Sequence, residues 1–190
     1  MNEQYIEDQY FKNENYAEIE LIKGEYENCT FTNCIFSNTD LSNVYFSDCK
    51  FENCDLSMAK LKNTAFRDVK FKNCKLLGMH FDDCNIFLLS FSFENCVLNF
   101  SSFYKLKLKK SIFKDCKLEE VEFVETDLSK STFGNCDFMK ALFENTILEG
   151  SDFRTSYNFS INPESNRIRK AKFSTHNIVG LLGKYNISVE

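Results

Sequence analysis

From Leu21, steps of five residues land on Phe, Leu, Ile or Tyr without exception as far as Ile86, and a second run does the same from Phe93 to Phe153. Neither regular element accommodates that period. On a helix each step turns through about 500°, which scatters the apolar side chains around the axis, and on a strand an odd step alternates faces. The backbone must therefore turn a corner every five residues, so that each apolar centre returns to a common interior.

A second column lies two residues before each centre. It runs Cys29, Cys34, Thr39, Val44, Cys49, Cys54 and onward, and all nine cysteines fall in it, among residues that are mostly small or β-branched. Two positions in five thus face inward and three face water. Asn33, Asn38, Asn43, Asn53, Asn63, Asn73 and Asn95 recur two residues after a centre, where a turn is favoured. Cys34, Cys54 and Cys74 are twenty residues apart, and Cys96, Cys116 and Cys136 continue the series after a two-residue shift. Four sides of five residues close one coil, so residues 19–155 make about seven coils. With coils about 4.8 Å apart, as neighbouring strands are, the rod is roughly 30–35 Å long.

The cysteines invite a metal or redox reading, which their spacing opposes. Zinc sites use close pairs such as C-x2-C, whereas Cys29/Cys34 and Cys49/Cys54 are five apart and belong to adjacent sides. Stacked thiols such as Cys34 and Cys54 have parallel Cβ vectors, which disfavour a disulfide. The expectation is that Cys34, Cys54, Cys74, Cys96, Cys116 and Cys136 are small core fillers. Of 21 Phe, fifteen occupy centres, Phe31, Phe51, Phe71, Phe113, Phe133 and Phe153 among them. Truncating one, as in Phe71→Ala or Phe123→Ala, should cost ~3–5 kcal/mol.

The tandem "CTFTN CIFSN TDLSN VYFSD CKFEN CDLSM AKLKN" resembles the pentapeptide-repeat proteins, with their consensus of roughly A(D/N)LXX, over residues 19–155. The resemblance implies an all-β solenoid, a right-handed quadrilateral β-helix. It also implies what the best-understood members do. The Qnr-type and mycobacterial-type quinolone-resistance proteins are homodimers joined through C-terminal helices, and their acidic surface mimics DNA toward DNA gyrase or topoisomerase IV. This chain departs from them in its charge. The formal total is −5, with twelve acids against three bases in residues 1–59 and sixteen against twenty in residues 60–190. A mimic needs a continuous negative field. The long loops of the Gram-negative Qnr type are also missing.

The period breaks near residues 87–93 and sets Phe87, Leu88, Phe100 and Tyr104 outward, either as a bulge covering the shifted coil or as a patch for a protein partner. The run Lys105, Lys107, Lys109, Lys110, Lys114 and Lys117 lacks interleaved aromatics and reads as a solvated wall rather than a nucleic-acid strip. Residues 1–18 read as an irregular N-terminal cap, since a solenoid end must be covered. Residues 156–190 read as a loop, a short helix from Ser174 or Thr175 bearing Ile178, Leu181 and Leu182, and a strand at "YNISV". Ile178, Leu181, Leu182, Tyr185 and Ile187 would either join two copies or fold back as a cap.

His80 and His176 have no evident catalytic partner, and no phosphate-cradling glycine motif occurs. No catalytic, cofactor or metal residue is expected, no contact with nucleic acid or membrane, and the polar, acidic opening points to a cytoplasmic protein. Two functions remain. One is a homodimeric, non-enzymatic protector of gyrase, which requires an uninterrupted acidic stripe along one wall. The other is a protein-interaction scaffold, which requires an apolar patch near mid-rod.

Overall fold

The computed structural model describes residues 4–188. A four-stranded sheet stacks Gln4–Glu7, Gly24–Glu27, Tyr45–Ser47 and Ala65–Arg67. A seven-stranded sheet stacks Tyr10–Lys12, Thr30–Thr32, Lys50–Glu52, Val69–Lys72, Phe91–Glu94, Ile112–Lys114 and Thr132–Gly134. Every strand pair is parallel and pairs like with like one coil on, as in Phe31 with Phe51 and Phe51 with Phe71. Isolated parallel bridges such as Ile35 with Asp55 and Asp40 with Lys60 form the two remaining sides. The chain is thus a four-walled parallel β-solenoid. Wall 1 is centred on Tyr26, wall 2 on Phe31, wall 3 on Phe36 and wall 4 on Leu41, and each pattern repeats in the next coil.

Why a five-residue side closes is visible at the corners. The residue two after most centres is left-handed, with φ of 54° at Asn33, 59° at Asn43 and 54° at Asn53; Lys23, Thr155 and Asp83, which lies in a 3-10 turn, are exceptions. Asparagine tolerates that conformation, and its side chain adds a second benefit here. Asn33 Nδ2 donates to Asn13 Oδ1 at 3.1 Å, Asn73 Nδ2 to Asn53 Oδ1 at 3.1 Å, and Asn95 Nδ2 to Asn73 Oδ1 at 2.9 Å. These ladders run up the corners and tie coil to coil.

Inside, the phenylalanines stack along the axis. On wall 2, Phe31 and Phe51 have ring centroids 4.8 Å apart and planes within 9°. Phe113 and Phe133 repeat this at 5.2 Å. Rings from adjacent walls meet edge to face, as Phe31 and Phe46 do at 84°. Offset-stacked and edge-to-face pairs are the two favoured aromatic geometries.

The stack extends beyond the expected limits at both ends. Residues 1–18 are not an irregular cap over their described part: Gln4–Glu7 pairs with Gly24–Glu27 and Tyr10–Lys12 with Thr30–Thr32. Ile6, Phe11 and Tyr16 continue the five-residue series backward and pack on the core. At the other end Asp152 bridges Lys172, and Phe173 stacks on Phe153 at 5.5 Å. Residues 156–173 therefore continue the coil at Tyr157, Arg167 and Lys172, with the turn at 163–165 and its flanks left outside the ladder.

The two-residue shift is confined to residues 86–89. Asn85 N still donates to Thr64 O as in other coils, whereas Ser90 N reaches Phe66 O. Wall 2 passes the break in phase, with Phe71 stacked on Phe93 at 5.2 Å and 13°. Wall 1 does not: Ile86, counted as a core centre from the period, is 75% exposed, and the core is filled beside it by Phe91, buried at the first inner place of wall 2. Phe91 pairs with Val69 and half-buried Leu89 packs against the core beside it.

Candidate interaction surface

The six cysteines from Cys34 to Cys136 form one inner column, all free and buried. They do more than fill space. Cys54 Sγ donates to Phe31 O at 3.4 Å and Cys74 Sγ to Phe51 O at 3.3 Å. Hydroxyls at equivalent positions do the same: Thr64 to Leu41 O at 2.7 Å, Thr126 to Phe103 O at 2.8 Å, Ser131 to Leu108 O at 2.9 Å. The column is a set of buried donors that give a second hydrogen bond to carbonyls of the preceding coil, which already accept a backbone N–H, as Leu41 O does from Val44 N at 3.1 Å and Phe103 O from Leu106 N at 3.1 Å. Burial pushes the Cys49 thiol up to about 12 and drives Cys84 well above its ordinary value, with Asp83 and Asp82 adding to the effect. Such thiols are unreactive at neutral pH. The signal for the donor role lay in the alternation of Cys with Ser and Thr in one column.

With the interior closed, binding chemistry is confined to the walls and corners. Among the described residues no group of three His, Cys, Asp or Glu could hold a metal ion, and no helix is long and apolar enough to cross a membrane. His80 Nδ1 lies 3.5 Å from Asp82 on an exposed part of wall 4, and its bridge partner one coil on, buried Ser102, gives its hydroxyl to Glu122 at 2.9 Å.

The four residues of the mid-rod apolar patch do not come together. Phe87 and Leu88 sit at the corner between walls 1 and 2, 64% and 65% exposed, and Ile86 joins them. Phe100 follows the Leu98 centre at the corner between walls 3 and 4, and half-buried Tyr104 lies past Phe103 at the corner between walls 4 and 1. What remains is a smaller cluster, Ile86, Phe87 and Leu88. The Arg67 guanidinium lies 5.7 Å from the Phe87 ring centroid and 5.9 Å from that of Tyr45, between the two aromatics, and its NH1 is 3.5 Å from Glu25. A groove of about 200 Å³ opens beside the cluster, lined by Asp68, Leu89, Phe91, Lys109 and Lys110.

Charge is divided along the rod. The charged outer residues of wall 1 and its following corner are Glu7, Asp8, Glu25, Glu27, Asp48, Arg67 and Asp68 before the cluster, and after it Lys107, Lys109, Lys110, Lys130, Arg167, Arg169 and Lys170 with two acids, Asp127 and Glu149. Arg67 and the apolar cluster separate the two zones, and no wall carries an acidic stripe from end to end. The lysine run of residues 105–117 is likewise dispersed around the coil. Lys105 faces Glu125 at 3.6 Å, Lys109 faces Asp127 at 3.3 Å, and Lys114 is 2.9 Å from Glu94.

The C-terminal segment folds back over the last coil. In place of the expected α-helix there are two 3-10 turns, Ile178–Leu181 and Gly183–Tyr185. Two glycines in so short a segment weaken an α-helix by about 1 kcal/mol each. Gly180 allows a close approach, since a Cβ there would lie 2.5 Å from the Phe159 ring and carbonyl. Asn177 Nδ2 donates to Phe153 O and Ser156 O at 2.8 and 2.9 Å, and Leu181 is buried. Ile178, Tyr185 and Ile187 remain exposed and Leu182 half-buried. "YNISV" is no strand over 185–188, and Val189 lies outside the described residues.

A family profile described as a pentapeptide repeat region matches residues 25–92 and 86–157. The chain belongs to the pentapeptide-repeat family. Among solved structures this family member is similar to QnrB1, a plasmid-mediated fluoroquinolone resistance protein, at 21% identity, over 98% of this chain and 100% of that one, with a TM-score of 0.64. It is also similar to HetL, involved in heterocyst differentiation regulation in the cyanobacterium Nostoc sp. strain PCC 7120, at 13% identity over 89% and 86% of the two chains, with a TM-score of 0.67. No curated protein matches the sequence. At these identities the pentapeptide-repeat likeness is one of fold.

Proposed function

We propose that this pentapeptide-repeat protein is a non-enzymatic interaction rod that binds protein through the corner between walls 1 and 2. The observation that carries the reading is Ile86-Phe87-Leu88: three consecutive large apolar side chains, each more than 60% exposed, at the one place where the repeat is interrupted. Contiguous exposed apolar surface marks interaction sites. Leu88 is also left-handed, with φ of 57°, at a kind of corner that other coils give to Asn, Asp, Lys or Gly. A photo-crosslinking residue at position 87 should give a discrete adduct in cells, and one at position 117 on the opposite wall 3 should not. Equal labelling from both positions, or none from either, would overturn the reading.

A second reading is favoured by the fold shared with QnrB1: binding and protection of DNA gyrase or topoisomerase IV in the cytoplasm. The concentration of acid in the N-terminal part of wall 1 does not favour a DNA mimic, and this reading requires a contact other than a continuous negative face. Gyrase supercoiling with and without a fluoroquinolone tests it as purified protein is titrated in. Protection at micromolar protein supports it, and neither protection nor inhibition would exclude it. A homodimer through Ile178, Tyr185 and Ile187 belongs to the same reading, and deletion from Ser174 onward should then leave a monomer.

A further inference from the structure

The left-handed corner residues between walls 1 and 2 recur once per coil along the described rod: Asp8, Asn28, Asp48, Asp68, Leu88, Lys110, Lys130, Gly150 and Lys170; in the interrupted coil Leu88 stands on the bulge, and Ser90 behind it donates to Asp68 Oδ1 at 2.9 Å. Read outward from Leu88, the column is a palindrome with its charges inverted. One coil away on either side are Asp68 and Lys110, two coils away Asp48 and Lys130, and four coils away Asp8 and Lys170. Three coils away are the uncharged Asn28 and Gly150. The charged six are all exposed, and among the described residues none of them makes an ion pair within its own chain.

We propose that the partner of this corner is a second copy of the chain, packed alongside in antiparallel orientation with a two-fold axis at Leu88; the proposal rests on the interaction-rod reading and names its partner. A two-fold axis perpendicular to the rods sets each column against itself in reverse, which is the self-complementarity an isologous interface requires. Every acid of the column then faces a base of the other copy. Leu88 meets the partner's Leu88, and the groove between Asp68 and Lys110 gives the apolar cluster a place to seat. The neighbouring column would set Arg67 against the partner's Lys109 and Glu27 against the partner's Glu149. Those groups are already engaged at home: Arg67 with Glu25 at 3.5 Å, Lys109 with Asp127 at 3.3 Å, Glu149 with Arg167 at 2.7 Å, and Glu27 as acceptor of the Tyr5 hydroxyl.

The contact is long and narrow. Eight steps of about 4.8 Å make a strip about 38 Å long. Two columns wide, it covers on the order of 500 Å² per copy, below the ~800 Å² of a standard interface. The dimer is accordingly of micromolar strength and depends on its charges.

Sedimentation equilibrium on the full chain tests this. The wild type should dimerise at low ionic strength and weaken at least about tenfold near 1 M salt, where the Debye length is about 3 Å. Lys110→Glu with Lys130→Glu leaves Lys170 as the one base of the corner, and Asp48→Lys with Asp68→Lys leaves Asp8 as its one acid, so that in each case like charges face each other one and two coils from the axis. Each should be monomeric alone, their mixture should form a heterodimer, and all four changes in one chain should restore the homodimer. Leu88→Asn suits the left-handed corner, so the melting curve should be retained while dimerisation is lost. Deletion from Ser174 should leave the dimer intact. A wild type monomeric at about 0.2 mM, a mixture that stays monomeric, or a dimer lost only with the C-terminus would overturn the proposal. If the chain is monomeric yet position 87 cross-links another protein, the self-pairing fails and the interaction rod stands; if position 87 cross-links nothing, the rod reading itself fails.

Discussion

Cys54→Ser and Cys54→Ala separate the donor role of the cysteine column from metal or redox chemistry. Cys54 Sγ donates to Phe31 O at 3.4 Å and to Glu52 O at 3.4 Å, and accepts from Cys34 N at 3.4 Å. Serine at this place has a tested geometry in the same molecule. Ser131 and Ser151 reach the corresponding carbonyls at 2.9 and 2.7 Å, and Ser156 also accepts from Cys136 N at 3.3 Å. Cys54→Ser therefore keeps each bond and loses only the apolar transfer of sulfur, a cost of about 1 kcal/mol, near that of one buried methylene. Alanine removes the bonds as well. It leaves the buried Cys34 N–H without its acceptor, about 1–3 kcal/mol, and adds a small cavity. The alanine variant should thus lose about 2–4 kcal/mol by the same sum. Urea unfolding followed by circular dichroism reads both values. If serine costs as much as alanine, the column is apolar filling and the donor assignment is wrong.

Other consequences are reached with single substitutions. Phe100 is left-handed with φ of 65°, so Phe100→Asn should raise stability by about 1 kcal/mol, measured by thermal unfolding. Gly180→Ala places a Cβ 2.5 Å from Phe159, and should speed hydrogen exchange across residues 178–185 while leaving the coils protected. The Arg154 guanidinium, donating to Asp152 at 2.7 Å, holds that carboxyl below the ordinary carboxylate range. Its native value being depressed, its contribution to stability is complete above about pH 4 and is lost as pH falls through the native value. Arg154→Ala should move the Asp152 titration seen by NMR upward, and an unchanged midpoint would refute the pairing.

Much of this architecture was legible because the period was strict. Steps of five residues gave the walls, the spacing of Cys34, Cys54 and Cys74 gave four walls per coil, and Asn33 and its equivalents marked the corners. The same steps run backward from Leu21 through Tyr16, Phe11 and Ile6, yet the polar, acidic setting of residues 1–18 masked a first coil with only one core face to bury. At the break, a period cannot say that Ile86 turns to solvent while Phe91, at the inner place of wall 2 beside Val69, fills the core. That choice is made by packing against Phe81, whose ring lies 5.3 Å from that of Phe91. Ile178, Leu181 and Leu182 fit an α-helix and a 3-10 turn alike; contact of Gly180 with Phe159 decided between them. Phe87 and Phe100 seemed neighbours in sequence, but thirteen residues carry the chain to the opposite corner of the coil. The charge palindrome about Leu88 becomes readable only after the coil length and its two-residue exception are fixed.

Function on such a rod is a matter of which corner is used, and position 88 reports on it. With the native thiols buried, Leu88→Cys introduces an exposed cysteine at the proposed two-fold axis, and Lys117→Cys introduces one on the opposite wall. Under mild oxidation at low salt, position 88 should yield a covalent dimer in high proportion and position 117 almost none. Equal yields from the two positions, or no dimer from position 88, would contradict an interaction centred on this corner.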